Sequence, residues 1–148
     1  MEPPPLPPQQ LPIEARWCVE RAASCIDLEV ADQPQEQRLG LMQRSALPPL
    51  RGMWFPARPS QPMRFWMYNT IAPLDMIFIR DGKVLDIASD VAVCEALPCP
   101  STWADADHNG RADFVDGVIE IGAGEAARLG IERGDGVEIE FLNRHRPQ

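Results

Sequence analysis

Five residues from three separate stretches of this chain could do chemistry together: Arg44, Trp66, Asn69, Thr70 and Asp75. A guanidinium fork holds a carboxylate or phosphate through paired hydrogen bonds. An indole stacks on a ring, a peptide plane or a sugar face. The Asn69 amide offers a donor and an acceptor, and Thr70 adds a hydroxyl. Such a set reads as a binding site for a small anionic or peptide-like ligand. Within it Asp75 is the one good candidate for a general base, with Arg44 stabilising developing negative charge; that is the hydrolase-like alternative. A purely structural reading stands beside both: Asn69 shapes a turn, and Asp75 is the buried partner of Arg44.

A second constellation is acidic. Asp105, Asp107, Asn109, Gly110, Asp113 and Asp116 fall on positions one, three, five, six, nine and twelve of a calcium-loop template. Calcium takes several oxygen ligands, and the glycine permits the sharp turn between them. Against this, position twelve is Asp rather than the longer Glu, and Phe114–Ile121 reads as a strand where the template needs a helix. A solvated polar loop uses the same residues, so calcium is the candidate cofactor and an ion-free turn the alternative.

Four cysteines form the third set. Cys94 and Cys99 lie in one loop and can be bridged if the chain turns back. Pairing Cys18 with Cys25, in what reads as a tail, is less favoured. The spacing is not that of a zinc site. His108 and His145 sit near no nucleophile motif, and the lone Gly122-Ala123-Gly124 is weak as a phosphate cradle.

The elements that must position these groups are short. Ile26, Leu28 and Val30 alternate with Asp27 and Glu29, predicting a half-buried strand. A short helix follows, with Asp32 as cap, Pro34 early and Gly40 as its stop. Residues 45–62 are rich in proline and read as turns around a brief strand at 53–55. Strands are expected at 63–67 and 76–80. Asp81-Gly82 predicts a tight hairpin into 83–88. Residues 94–113 read as irregular, 115–121 as a strand, 123–129 as a short helix and 137–142 as a last strand. Many short strands with turn residues between them predict a mainly β domain, a small rolled sheet or β-barrel-like unit with one or two short helices.

Composition sets the outer bounds. Six of the 16 prolines fall in residues 1–12. The expected organisation is a flexible Pro-rich tail at 1–20, one domain at 21–143 and a flexible end at 144–148. The formal net charge is −8, which disfavours nucleic acid and anionic membranes as partners. Residues 38–83 depart from that average, with seven basic residues against two acidic ones. No apolar run is long enough to insert in a membrane. Nor does the N-terminus read as a signal peptide, so the chain as written is expected in the cytoplasm, or outside it if the true start lies upstream.

Several blocks resemble one family pattern, in order and with natural spacing: Gly40-Leu41-Met42 with Arg44; Gly52-Met53-Trp54-Phe55; Trp66-Met67-Tyr68-Asn69-Thr70; Pro73-Leu74-Asp75; Val118-Ile119-Glu120; and Gly134-Asp135. The pattern is similar to that of domain of unknown function 192, in small bacterial and archaeal proteins. Here Trp54 stands where Leu is usual, and Tyr68 where Lys is usual. Members often carry an export or lipoprotein signal. The resemblance implies a compact β-barrel-like fold and no settled activity; the acidic loop at 105–116 is outside the pattern.

Overall fold

A computed structural model describes residues 7–142. The expected C-terminal tail at 144–148 and the first six residues of the Pro-rich tail lie outside the described residues. Nine strands and two short α-helices follow one another along the chain. They are β1 (Ile13–Val19), β2 (Ser24–Val30), α1 (Pro34–Leu39), β3 (Arg51–Pro62), β4 (Phe65–Trp66) and β5 (Leu74–Arg80). Then come β6 (Lys83–Val91), β7 (Ser101–Thr102), β8 (Phe114–Gly122), α2 (Glu125–Arg128) and β9 (Ile139–Phe141). Seven strands form one curled, half-barrel sheet in the order β6-β5-β8-β3-β2-β1-β9. β2 and β3 run parallel; the other neighbours in this sheet are antiparallel. β4 and β7 pair as a separate two-stranded ribbon. The mainly β class with two short helices is as the residue pattern predicts.

The two faces of the sheet follow from strand alternation. Val30, Trp54, Ile119, Ile77 and Ile87 stand side by side across β2, β3, β8, β5 and β6. They belong to a core closed by Ala126, Leu129, Ile131 and Val137 from α2 and the chain after it. The next row points the other way: Glu29, Met53, Glu120, Met76 and Ala88. Its apolar members join a second core with Leu41, Phe55, Met67, Phe78 and Ala104. Gly117 makes the first face possible. A Cβ there would stand 2.2 Å from the Trp54 ring, so the indole lies directly over β8 backbone.

Several expectations are corrected. The tail at 1–20 contains a strand. Ala15, Trp17 and Val19 of β1 are buried, and β1 pairs with both β2 and β9. Its alternation was masked by the neighbouring prolines. β3 runs over twelve residues rather than three. Prolines end pairing only where a ladder N–H is needed; here the register with β8 breaks between Pro56 and Gln61 and resumes at Gln61 and Pro62. The brief strand expected at 63–67 shortens to β4. The helix cap moves by one residue, to Gln33, whose side chain and that of Glu36 form a reciprocal capping box. Asp81 and Gly82 turn the β5–β6 hairpin with φ of 52° and 71°, as their types require.

Candidate functional site

The five-residue cluster separates. Arg44 follows α1, and its Nη1 donates to Glu29 Oε1 at 2.7 Å. Glu29 Oε1 also accepts the Leu11 N–H at 2.9 Å, so this pair ties the N-terminal segment to β2. The partner expected for Arg44, Asp75, is elsewhere. Asp75 Oδ2 accepts the N–H groups of Gly124 and Ala126 at 3.1 and 2.9 Å, and Oδ1 accepts that of Asp90 at 2.8 Å. It satisfies donors at the start of α2 and is 1% exposed. That is the arrangement of a structural carboxylate, both of whose oxygens accept backbone N–H groups. Asn69 has φ of 61°, and its carbonyl accepts the backbone and side-chain N–H groups of Gln43, both at 2.9 Å. It fastens one loop to another. Only Trp66 and Thr70 of the five face a common cleft.

That cleft, of about 380 Å³, opens between α1 and the segment carrying β4, above the second face of the sheet. Leu41, Met42, Phe55, Met63 and Met67 supply apolar walls. Trp66 is 45% exposed and tilts against Tyr68, with ring centroids 5.3 Å apart. Arg38 and Arg64 stand exposed at the mouth. Neither makes an ion pair among the described residues; the Arg64 guanidinium lies 5.8 Å from the Trp103 ring. The α1 backbone turns away at Gly40, whose φ is 47° and where a Cβ would meet the Phe55 ring at 3.4 Å. β7 backs the Trp66 wall through Ser101 and Thr102. The Cys94–Cys99 loop adjoins it, with the Cys94 N–H donating to Met67 O at 3.2 Å.

Glu120 lines this cleft from β8, at the sheet that forms its floor, and was not among the candidates read from the residues. It is flanked in register by Met53 and Met76, both fully buried. Glu120 itself is 4% exposed. Among the described residues it has no hydrogen-bond or ion-pair partner. Burial therefore pushes its carboxyl up to about 8, and at neutral pH it is mostly the uncharged acid. The signal for it was present: a charged residue inside the apolar run Val115–Ile121, on the side of the strand that alternation assigns to the interior. What alternation could not show was the lack of an opposing cation.

In the acidic loop three of the candidate ligand residues come together. Carboxylate oxygens of Asp105, Asp107 and Asp113 lie within 4.8 Å of one another. Asp105 accepts the N–H groups of Asn109 and Gly110 at 2.9 Å each, while Asp113 accepts that of Ala106 at 2.7 Å. Asn109 Oδ1 accepts the Arg111 N–H at 2.8 Å, and its Nδ2 donates to Asp107 at 3.1 Å. Asp116 does not join them. It lies on β8, where Oδ2 accepts the Asp81 N–H at 2.7 Å and steadies the hairpin turn. The loop's polar groups are thus largely spent on its own turns. Cys94 and Cys99 are bonded, and so are Cys18 and Cys25, which stand directly opposite each other on β1 and β2. The second pairing follows from β1 being a strand.

The model of DUF192, described as an uncharacterized ACR, matches residues 17–139. The chain belongs to the DUF192 family. A crystal structure of a protein of unknown function from Novosphingobium aromaticivorans superposes with a TM-score of 0.70 at 31% identity, covering 90% of this chain and 93% of that one. A protein from Sinorhizobium meliloti, proposed as a transcription regulator, gives 0.67 at 30% identity, covering 86% and 92%. No curated protein matches the chain. Among the described residues no helix is long and apolar enough to cross a membrane.

Proposed function

We propose that this DUF192 domain is a binding module whose site is the cleft between α1 and β4, and whose ligand is a small apolar anion. One observation carries the reading: Glu120 lines the cleft as a buried carboxyl with no partner among the described residues. Burying such a group without compensation costs stability. A methionine like its neighbours Met53 and Met76 would avoid that cost. Residues that break a local rule in this way are where functional or strained sites are expected. The rest of the cleft fits a ligand of this class. Its volume is in the range of small-molecule sites, its walls are apolar, and Trp66 offers a stacking face. Arg38 and Arg64 supply guanidinium groups that have no ion-pair partner among the described residues.

The hydrolase-like alternative, with Asp75 as base, draws no support from a carboxylate whose oxygens both accept backbone N–H groups. Nucleic acid is not proposed as a partner, because the net charge of −8 repels a phosphate backbone. A chemical-shift titration with 3-phenylpropionate tests the proposal. Shifts should centre on Trp66, Thr70 and Met67 and vanish in an Arg38→Ala, Arg64→Ala double variant. Shifts scattered over the surface, or unaffected by the double variant, would refute it.

A further inference from the structure

The cleft has two polar ends of different character, and that difference narrows the ligand. The mouth carries Arg38 and Arg64, which bear charge and lack anionic partners among the described residues. Deeper in, Glu120 is set among Met53, Phe55 and Met76, with no cation opposed to it among the described residues. An anionic ligand group placed against it would meet either a like charge or a carboxyl that must keep its proton. A cationic ligand group would have to pass between two arginines to reach it. The group that suits the deep end is an uncharged acceptor, to which the carboxyl O–H donates.

Resting on the binding reading above, we infer that the cleft takes an acylated amino-acid unit. Its amide carbonyl accepts from Glu120, its apolar side chain lies against Trp66, and its carboxylate sits between Arg38 and Arg64. This unit occurs both as a free N-acyl amino acid and as the C-terminus of a peptide. The three contacts use the two ends and the wall of one cleft, and leave the Glu29–Arg44 pair and the Asp75 cap as framework.

The protonation of Glu120 makes the inference testable by pH. The charged groups that line the cleft with it are Arg38 at the end of α1 and Arg64 beside β4; α1 also carries Glu36, which caps its N-terminus, and the Glu29–Arg44 pair joins β2 to the turn after α1. On this side β3 and β5 present uncharged residues, among them Met53, Phe55, Gln61, Leu74, Met76 and Phe78. Guanidinium groups do not deprotonate in proteins, so Glu120 is the group whose state changes near pH 8.

Calorimetry on the full chain with N-acetyl-L-phenylalanine is the experiment. Affinity should exceed that for 3-phenylpropionate, which lacks the amide, by about tenfold or more. It should fall about tenfold between about pH 6.5 and about pH 9, as the donor is lost. Glu120→Gln should keep the amide preference, since its Nε2 still donates, and lose the pH dependence. N-acetyl-L-phenylalaninamide, without the carboxylate, should bind more weakly than the acid. Equal, pH-independent binding of the acylated and unacylated acids would overturn the inference while leaving the binding site standing. Binding of neither acid would overturn both. Phenethylamine binding that strengthens with pH would also overturn it, because it would make Glu120 an anion site for amines. An acetylated tripeptide ending in phenylalanine separates the sources. Retained affinity assigns a peptide terminus and lost affinity a free acyl amino acid, each within the inferred chemistry.

Discussion

Glu29 and Glu120 occupy one row across the sheet, separated by Met53, and both are buried. Their surroundings differ in one respect. Glu29 meets Arg44 and the Leu11 N–H; Glu120 meets the open cleft. The first carboxyl is part of the frame, because its charge is answered from within the chain. The second has no such partner among the described residues. A buried ionisable group becomes informative about function only when its partners are counted.

Breaking the Glu29 side of the comparison should have the largest effect. Arg44→Met leaves a buried carboxylate without its cation and should cost about 3–5 kcal/mol, read as a fall in the denaturant midpoint. Asp75→Asn comes next. It puts an amide against three backbone donors and should cost about 2–3 kcal/mol, with loss of amide-exchange protection at Gly124 and Ala126. That outcome separates a cap from a base, since a base would leave stability nearly unchanged.

Glu120→Gln should act in the opposite direction. The folded state holds a proton that the unfolded chain releases, because burial raises this carboxyl from 4.5 to about 8. Its contribution to stability is therefore fully present below pH 4.5 and is lost as pH rises to about 8. The variant should be more stable than the parent near neutrality, by about 1–3 kcal/mol, and flatter with pH in thermal melts. Trp66→Ala should change least in stability, under about 1 kcal/mol, since the indole is largely a surface group, yet weaken 3-phenylpropionate binding about tenfold.

Much of the frame was legible in residue types. Ile26, Leu28 and Val30 declare their strand by alternation, and Asp81-Gly82 declares its hairpin by tolerance of positive φ. β1 carried the same alternation at Ala15, Trp17 and Val19, hidden behind a run of prolines. The length of β3 was hidden likewise, because Pro56, Pro59 and Pro62 look like loop residues until the irregular stretch against β8 absorbs them. Of the site, Trp66 and Thr70 could be placed together from their shared segment. Residue types alone pair Arg44 and Asp75 with each other, because their true partners, Glu29 and the start of α2, are distant in sequence and only the sheet topology brings them near. Glu120 stood in plain sight within an apolar strand. Its meaning depends on an empty space beside it, which no residue letter records.

The central claim concerns one proton. A carbon-detected NMR titration of the Glu120 carboxyl, assigned by loss of its resonance in Glu120→Gln, measures it directly. A midpoint of about 8 is the predicted result; a midpoint near 4.5 would show a solvated, ordinary carboxylate and contradict the account.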